Sequence, residues 1–254
     1  MCGITGFVTS SDFQENDLDK CINDMASTLS HRGPDDTGSW VDKKFGISFG
    51  HKRLSILDLS AAGHQPMISK TNRFVIVFNG EIYNHLLLRK ELEKFLSQDI
   101  KWSGTSDTET LLMCFDIYGV EQTINKLIGM FSIAIYDKKE NTLTLVRDRL
   151  GEKPLYYGIV NNSFVFSSEL KAIKKFPNFD NSINRYALKK YFKFMYIPAP
   201  YSIYNNILKL EPGHFLKIKI DDIKNNLNLS NLRENLIQFW SLEEKIKNEN
   251  TDNK

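Results

Sequence analysis

Cysteine is scarce in these 254 residues: Cys2, Cys21 and Cys114 are an odd number without short spacing, which excludes a disulfide framework or a zinc knuckle. Charge of one sign is also lacking. Lys plus Arg total 33 against 31 Asp plus Glu, and a net charge of +2 provides no electrostatic footprint for nucleic acid or an acidic membrane surface. No run approaches the ~18 uninterrupted apolar residues of a bilayer span. The amino terminus lacks the basic-then-apolar layout of a secretory signal, so a soluble cytoplasmic protein is expected. There is no Gly-rich phosphate loop of the Walker or dinucleotide type. Ser103-Gly104-Thr105-Ser106-Asp107 lacks the second glycine of a Ser-Gly-Gly-x-Asp pyrophosphate loop. His31, His51, His64, His85 and His214 lack metal-ligand spacing, so no metal site is expected. The Lys-rich tail has no interleaved aromatics on which bases would stack.

What remains is a globular composition, 41% apolar and 25% charged, long enough for one large domain or two small ones. Cys2–Val8 reads as a short apolar strand. Leu18, Cys21, Ile22, Met25 and Leu29 then recur at helical spacing after a cap at Asp17, with Gly33-Pro34 ending the pattern. Phe45–Phe49 and Arg53–Leu57 read as neighbouring strands, and Arg73–Phe78 as a strand covered on both faces. Leu88, Leu92, Phe95 and Leu96 share a helical face, and Ser106-Asp107-Thr108-Glu109 is a capping-box pattern opening a second helix that ends at Gly119. Cys21 and Cys114 fall on apolar stripes and read as core. Met130–Tyr136 with Thr142–Arg147, and Leu155–Ile159 with Ser163–Ser167, read as hairpins. Glu169–Phe176 and Arg185–Phe194 are helix candidates and His214–Ile220 a last strand. From Asp221 to Lys254 the composition shifts to Asn, Lys and Glu, as in a linker. Two groups of strands interrupted by helix pairs predict helices outside two face-to-face sheets, an α+β fold.

Five residues can carry chemistry. Removal of Met1, which the small Cys side chain permits, leaves Cys2 with a thiol and a free α-amine on one residue. That amine, of ordinary pKa about 7.7–8.0, would accept the thiol proton directly or through one water. Asn79-Gly80 is either a type I′ turn or, because a helical pattern follows at once, a pair of donors at the end of a buried strand. Arg53 is either a surface arginine or a fork for a substrate carboxylate. Asp107 is either a first-turn acid favoured by the helix dipole or an acceptor for a substrate ammonium.

Met1-Cys2-Gly3-Ile4, His31-Arg32-Gly33-Pro34-Asp35, Arg53-Leu54-Ser55-Ile56, Phe78–Asn84, Gly104–Glu109, Gly129-Met130-Phe131 and Arg147–Tyr157 occur in one order. Together they strongly resemble the glutaminase half of glutamine-hydrolysing asparagine synthetases. Phe166–Ala172 and Glu211–His214 extend the likeness. The resemblance implies a class II glutamine amidotransferase with the N-terminal-nucleophile hydrolase fold, a four-layer αββα sandwich, over residues 2–220, followed by a linker, 221–254. It implies Cys2 as nucleophile and Asn79 with Gly80 as oxyanion donors. Arg53 would bind the glutamine α-carboxylate. Asp107, with backbone near Gly80 and Glu81, would bind the α-amine, and Leu54, Ser55, Ile56 and Leu57 would line the pocket. L-Glutamine is the expected substrate and a synthetase domain or subunit the expected recipient of ammonia. No cofactor is expected in this chain; ATP and magnesium belong to the synthetase half, whose Ser-Gly-Gly-x-Asp-Ser mark is missing from these residues. Another acceptor, such as a surface-polysaccharide sugar, and a non-catalytic glutamine-binding remnant are the competing readings.

Overall fold

Alternation of side chains along the strands builds two apolar faces from each sheet, and each face finds a partner. The computed structural model describes residues 1–9, 15–97, 100–225 and 228–252. In chain order the elements are β1 (Gly3–Val8), α1 (Glu15–Ser27), β2 (Asp36–Asp42), β3 (Ile47–Arg53), β4 (Met67–Ile68) and β5 (Phe74–Ile82). Then come α2 (His85–Leu96), α3 (Asp107–Tyr118), α4 (Val120–Lys126), β6 (Gly129–Asp137), β7 (Thr142–Arg147), β8 (Tyr156–Val160) and β9 (Ser163–Ser167). The remainder is α5 (Leu170–Ile173), α6 (Arg185–Phe194), β10 (Ile207–Lys209), β11 (His214–Lys219), α7 (Ile220–Lys224), α8 (Leu229–Glu234), β12 (Leu236–Gln238) and α9 (Leu242–Asp252).

Two six-stranded sheets result, ordered β10-β8-β9-β1-β3-β2 and β12-β11-β7-β6-β5-β4. Ile4, Val8, Ile47 and Phe49 of the first meet Val75, Val77, Ala134 and Tyr136 of the second in a central apolar layer. Each fully buried Val, Ile or Phe among them contributes about 1.5–3 kcal/mol to the cohesion of the two sheets. Outside the first sheet, Leu18, Ile22, Met25 and Leu29 of the α1 segment pack on Phe7 and Val165. Outside the second, Leu88 and Leu92 of α2 and Leu111 and Phe115 of α3 cover Phe74, Ile76 and Phe78. The layering is therefore αββα. Both hairpins form as expected, and Cys21 and Cys114 are buried in the outer layers.

Several local expectations fail for physical reasons. Helix α1 already runs from Glu15, so Asp17 lies in its first turn instead of capping it. Arg53–Leu57 is not a strand: β3 ends at Arg53, and its hairpin partner is the polar, Gly-containing β2, which apolar patterning overlooks. Phe95 is exposed and meets the Tyr118 ring edge-on. Only Leu170–Ile173 of the expected helix 169–176 is helical. Residues past 220 are not simply a linker. Ile223 and Leu232 are buried in the central cluster, and β12 pairs with the edge of β11, which is thus not the last strand. Short apolar anchors among Asn and Lys suffice to hold that segment, and average composition hides them.

Candidate active site

At one end of the space between the sheets, the inward-facing register turns from apolar to polar. On β1 the series Val8, Gly6, Ile4 leads to Cys2, and on β3, paired with it, Ile47 and Phe49 lead to His51 and Arg53. On β5, Val75 and Val77 lead to Asn79, whose cross-strand neighbour is Ser132. The same period-2 alternation that builds the core thus brings Cys2, His51, Arg53 and Asn79 to one place. They adjoin a pocket of about 680 Å³ including its open mouth; Cys2, Arg53, Asn79, Gly80, Glu81 and Asp107 are among its lining.

The open edge of β5 decides where the Asn79-Gly80 backbone points. Tyr83 N–H donates to Ile128 O on the β6 side at 2.8 Å, so odd residues of the strand face β6 and even residues face the opposite edge. Strand β4 covers that edge only opposite Val75 and Ile76. Beyond it, Phe78 N–H donates to Gln65 Oε1 at 2.7 Å and Ile82 N–H to Asp107 Oδ2 at 2.9 Å. Between them, Gly80 N–H is directed by the same alternation into the pocket. Asn79 Nδ2, on a residue only 1% exposed, has no hydrogen-bond partner among the described residues. Asn79-Gly80 is therefore no hairpin turn. A Cβ at Gly80 would overlap Met130 O, which accounts for the glycine.

Arg53 is buried, not a surface arginine. Its Nη1 donates to Ser60 O at 2.9 Å and its Nη2 to Asp58 O, while Gly63 lies flat against the guanidinium, where a Cβ would overlap Nη2. The Asp58 carboxylate organises this loop. It accepts from the Ser60 hydroxyl at 2.6 Å, from Ser60 N–H and from Thr105 N–H, bonds that hold it down at about 2. Asp107, at the first position of α3, is 5% exposed. Burial pushes its carboxyl up to about 6, against the pull of the Ile82 and Thr108 N–H groups. Ser106 caps α3 through Thr108 N–H, yet the box is not reciprocal: Glu109 turns back to Ser103 and Gly104 N–H.

Cys2 Sγ lies in a backbone cradle, donating to Leu54 O at 3.6 Å and accepting from Leu54 N–H at 3.4 Å. Burial raises the thiol pKa; Leu54 N–H, the chain's amino-terminal charge and Arg53 oppose that, and the Asp107 charge adds to it. Arg32, spanning Glu169 Oε1 at 2.9 Å and Cys2 O at 2.9 Å, fixes the residue's backbone. Lys153 is buried and donates to Met1 Sδ at 3.3 Å.

The pocket thus gathers Cys2, Arg53, Leu54, Ile56, Leu57, Asn79, Gly80, Glu81 and Asp107. Ser55 is not in its lining: its N–H is tied to Asp35 Oδ2 at 2.8 Å, beside a separate depression with Asp36 and His64. Sequence reasoning assigned no role to Arg32, Gln65, Asp58 or Lys153. Arg32, Asp58 and Lys153 stand in or next to blocks already singled out, while Gln65 carried no local signal. Among the described residues no group of three or more His, Cys, Asp or Glu side chains could hold a metal ion, and no helix is long and apolar enough to cross a membrane.

Two antiparallel sheets between helical layers are the architecture of the N-terminal-nucleophile hydrolases. The glutamine phosphoribosylpyrophosphate amidotransferase of B. subtilis superposes with a TM-score of 0.61 at 18% identity, over 86% of this chain and 47% of that one. The chain belongs to the family described as glutamine amidotransferase domain, whose model matches residues 1–228. A putative glutamine-hydrolysing asparagine synthetase 2 of Methanocaldococcus jannaschii is 39% identical over 239 residues, covering 87% of this chain and 44% of that protein. Asparagine synthetase 1 of Bacillus subtilis is 37% identical over 222 residues, covering 87% and 34%. The chain therefore spans less than half the length of these relatives.

Proposed function

We propose that this chain hydrolyses L-glutamine to glutamate and ammonia through a thioester on Cys2, after removal of Met1. The observation that carries the reading is the polar end of the inter-sheet space. A cradled thiol shares a pocket with Gly80 and with Asn79 Nδ2, which has no partner among the described residues, and with a buried cation and a buried anion. The charges suit an amino-acid head group: the Arg53 fork takes the α-carboxylate and Asp107 the α-ammonium, with Glu81, Leu54, Ile56 and Leu57 around them. Anchored at both charges, the side-chain carboxamide is delivered to Cys2 in one orientation, where much of the rate advantage of proximity arises.

The Cys2 α-amine accepts the thiol proton as sulfur attacks the carboxamide carbon. The developing oxyanion is held by Asn79 Nδ2 and Gly80 N–H, each donor worth about 2.7–4 kcal/mol in such a site. The amine returns the proton to the departing nitrogen, ammonia leaves, and water cleaves the thioester to glutamate. The high thiol pKa suits this order, because the proton moves with the attack instead of leaving beforehand.

The ammonia serves ATP-dependent formation of asparagine from aspartate by a synthetase partner, with ATP and magnesium bound there, in the cytoplasm. The relatives named for that reaction support this reading. Cys2→Ala tests the chemistry: ammonia release from glutamine is lost while the fold, followed by circular dichroism, persists. Release at the wild-type rate from that variant contradicts the mechanism.

A further inference from the structure

The two halves of the site sit on different sheets. Cys2 immediately precedes β1, which pairs with β3, whereas Asn79 and Gly80 belong to β5, and away from the site the layer between the sheets is the apolar cluster around Ile4, Val8, Phe49, Val75 and Val77. Apolar contacts hold sheets together without fixing their offset, because they are non-directional. At the site end a directional contact crosses the gap. His51, on β3 opposite Ile4 and fully buried, places Nε2 3.2 Å from the main-chain oxygen of Phe78 on β5. A carbonyl only accepts, so the imidazole carries its proton on Nε2 and donates it. Burial keeps the ring neutral, with its pKa pushed down to about 4.

The position of that carbonyl makes the contact consequential. Phe78 O is the acyl half of the peptide whose nitrogen is Asn79, immediately before Gly80. It lies on the open edge of β5, where β4 has ended and no strand holds it. Gln65 Oε1 takes the Phe78 N–H on the same edge. His51 and Gln65 thus stand where a missing strand would have bonded, and Phe78 is clamped at both its backbone groups.

We propose that His51 is a positioning residue for the amidotransferase reaction, setting the distance between the Cys2 thiol on one sheet and the Asn79–Gly80 donors on the other. It touches neither substrate nor the reacting atoms in this role; it acts through the Phe78 peptide. The inference rests on the proposed function above, and its signature differs from that of general loosening. Misplaced oxyanion donors weaken stabilisation of the tetrahedral intermediate, lowering kcat, while the Arg53 and Asp107 anchors leave KM nearly unchanged.

The experiment compares His51→Phe, His51→Gln and Val77→Ala with the wild-type 254-residue protein in steady-state glutamine hydrolysis, alongside iodoacetamide labelling of Cys2. His51→Phe keeps the ring volume but cannot donate; kcat is expected to fall by about 10- to 100-fold with KM within about threefold. His51→Gln, whose amide can donate to Phe78 O, recovers most of that loss, and labelling of Cys2 stays near the wild-type rate. Val77→Ala opens the apolar layer beside the clamp and leaves kcat within about threefold. If His51→Phe fails to fold, His51→Leu, which also cannot donate, takes its place in each comparison. A kcat for His51→Phe near the wild-type value, failure of the Gln variant to exceed Phe, or an equal loss in Val77→Ala overturns the proposal. Absence of hydrolysis in the wild-type protein, or activity in Cys2→Ala, instead overturns the function on which it rests.

Discussion

Asp107→Asn separates what the binding site costs the fold from what it gives the substrate. The carboxyl is 5% exposed and is pushed from an ordinary 3.8 up to about 6, chiefly by burial. Its protonated form therefore favours the folded state. That contribution is complete below the unfolded pKa and is lost as pH rises through about 6. A difference of that size corresponds to about 3 kcal/mol at pH above both values, and about 2–3 kcal/mol develops between roughly pH 4 and pH 7.5. Asparagine keeps an oxygen for the Ile82 N–H and carries no charge. In urea unfolding the variant should consequently gain on the wild type by about 2–3 kcal/mol as pH rises over that interval. At the upper pH, glutamine at about 100 times its Kd should stabilise the wild type by about 2.7 kcal/mol and the variant hardly at all. A stability difference that does not change with pH, or a variant that still binds glutamine, refutes both the burial argument and the role given to this carboxylate.

The same titration predicts that the KM for glutamine rises as pH falls below about 6, because a neutral Asp107 no longer holds an ammonium; steady-state kinetics across pH would show it. Gly63→Ala drives a methyl group into the Arg53 guanidinium and should raise KM by about tenfold or more with a smaller change in kcat; an unchanged KM removes Arg53 from the anchor. Gly80→Ala meets the Met130 carbonyl, so thermal unfolding should show a loss of about 1–3 kcal/mol together with loss of activity. Alkylation of the folded protein should modify Cys2 alone, since Cys21 and Cys114 are buried with thiols pushed up to about 12; peptide mapping that finds Cys114 modified first contradicts the core placement.

Strong period-2 and helical patterns made the hairpins, the α2–α3 pair and the layering legible in the sequence, because burial on one face leaves a periodic trace. Strand β2 and the tail left none: Asp36–Asp42 is polar and half-exposed, and α7, α8 and β12 are held by single apolar residues spaced too far apart to form a pattern. For the site, residue types alone could not choose between turn and donor at Asn79-Gly80, or between surface and pocket at Arg53. Long-range facts decide the geometry: the early end of β4 leaves Asn79-Gly80 inside an open-edged strand, and the loop that returns Gly63 to the guanidinium buries Arg53. Gln65 and His51 were invisible for the same reason, since their partners are backbone atoms of another strand. Ser55 shows the opposite error, in which a neighbour of pocket residues in sequence turns its backbone to Asp35.

The most direct test of the central claim is to treat the protein with a γ-diazoketone analogue of glutamine and locate the adduct by mass spectrometry. The account predicts one covalent adduct on Cys2, on chains lacking Met1, with glutamine protecting and Asp107→Asn slowing the reaction. An adduct on another residue, or equal labelling of chains that retain Met1, contradicts it.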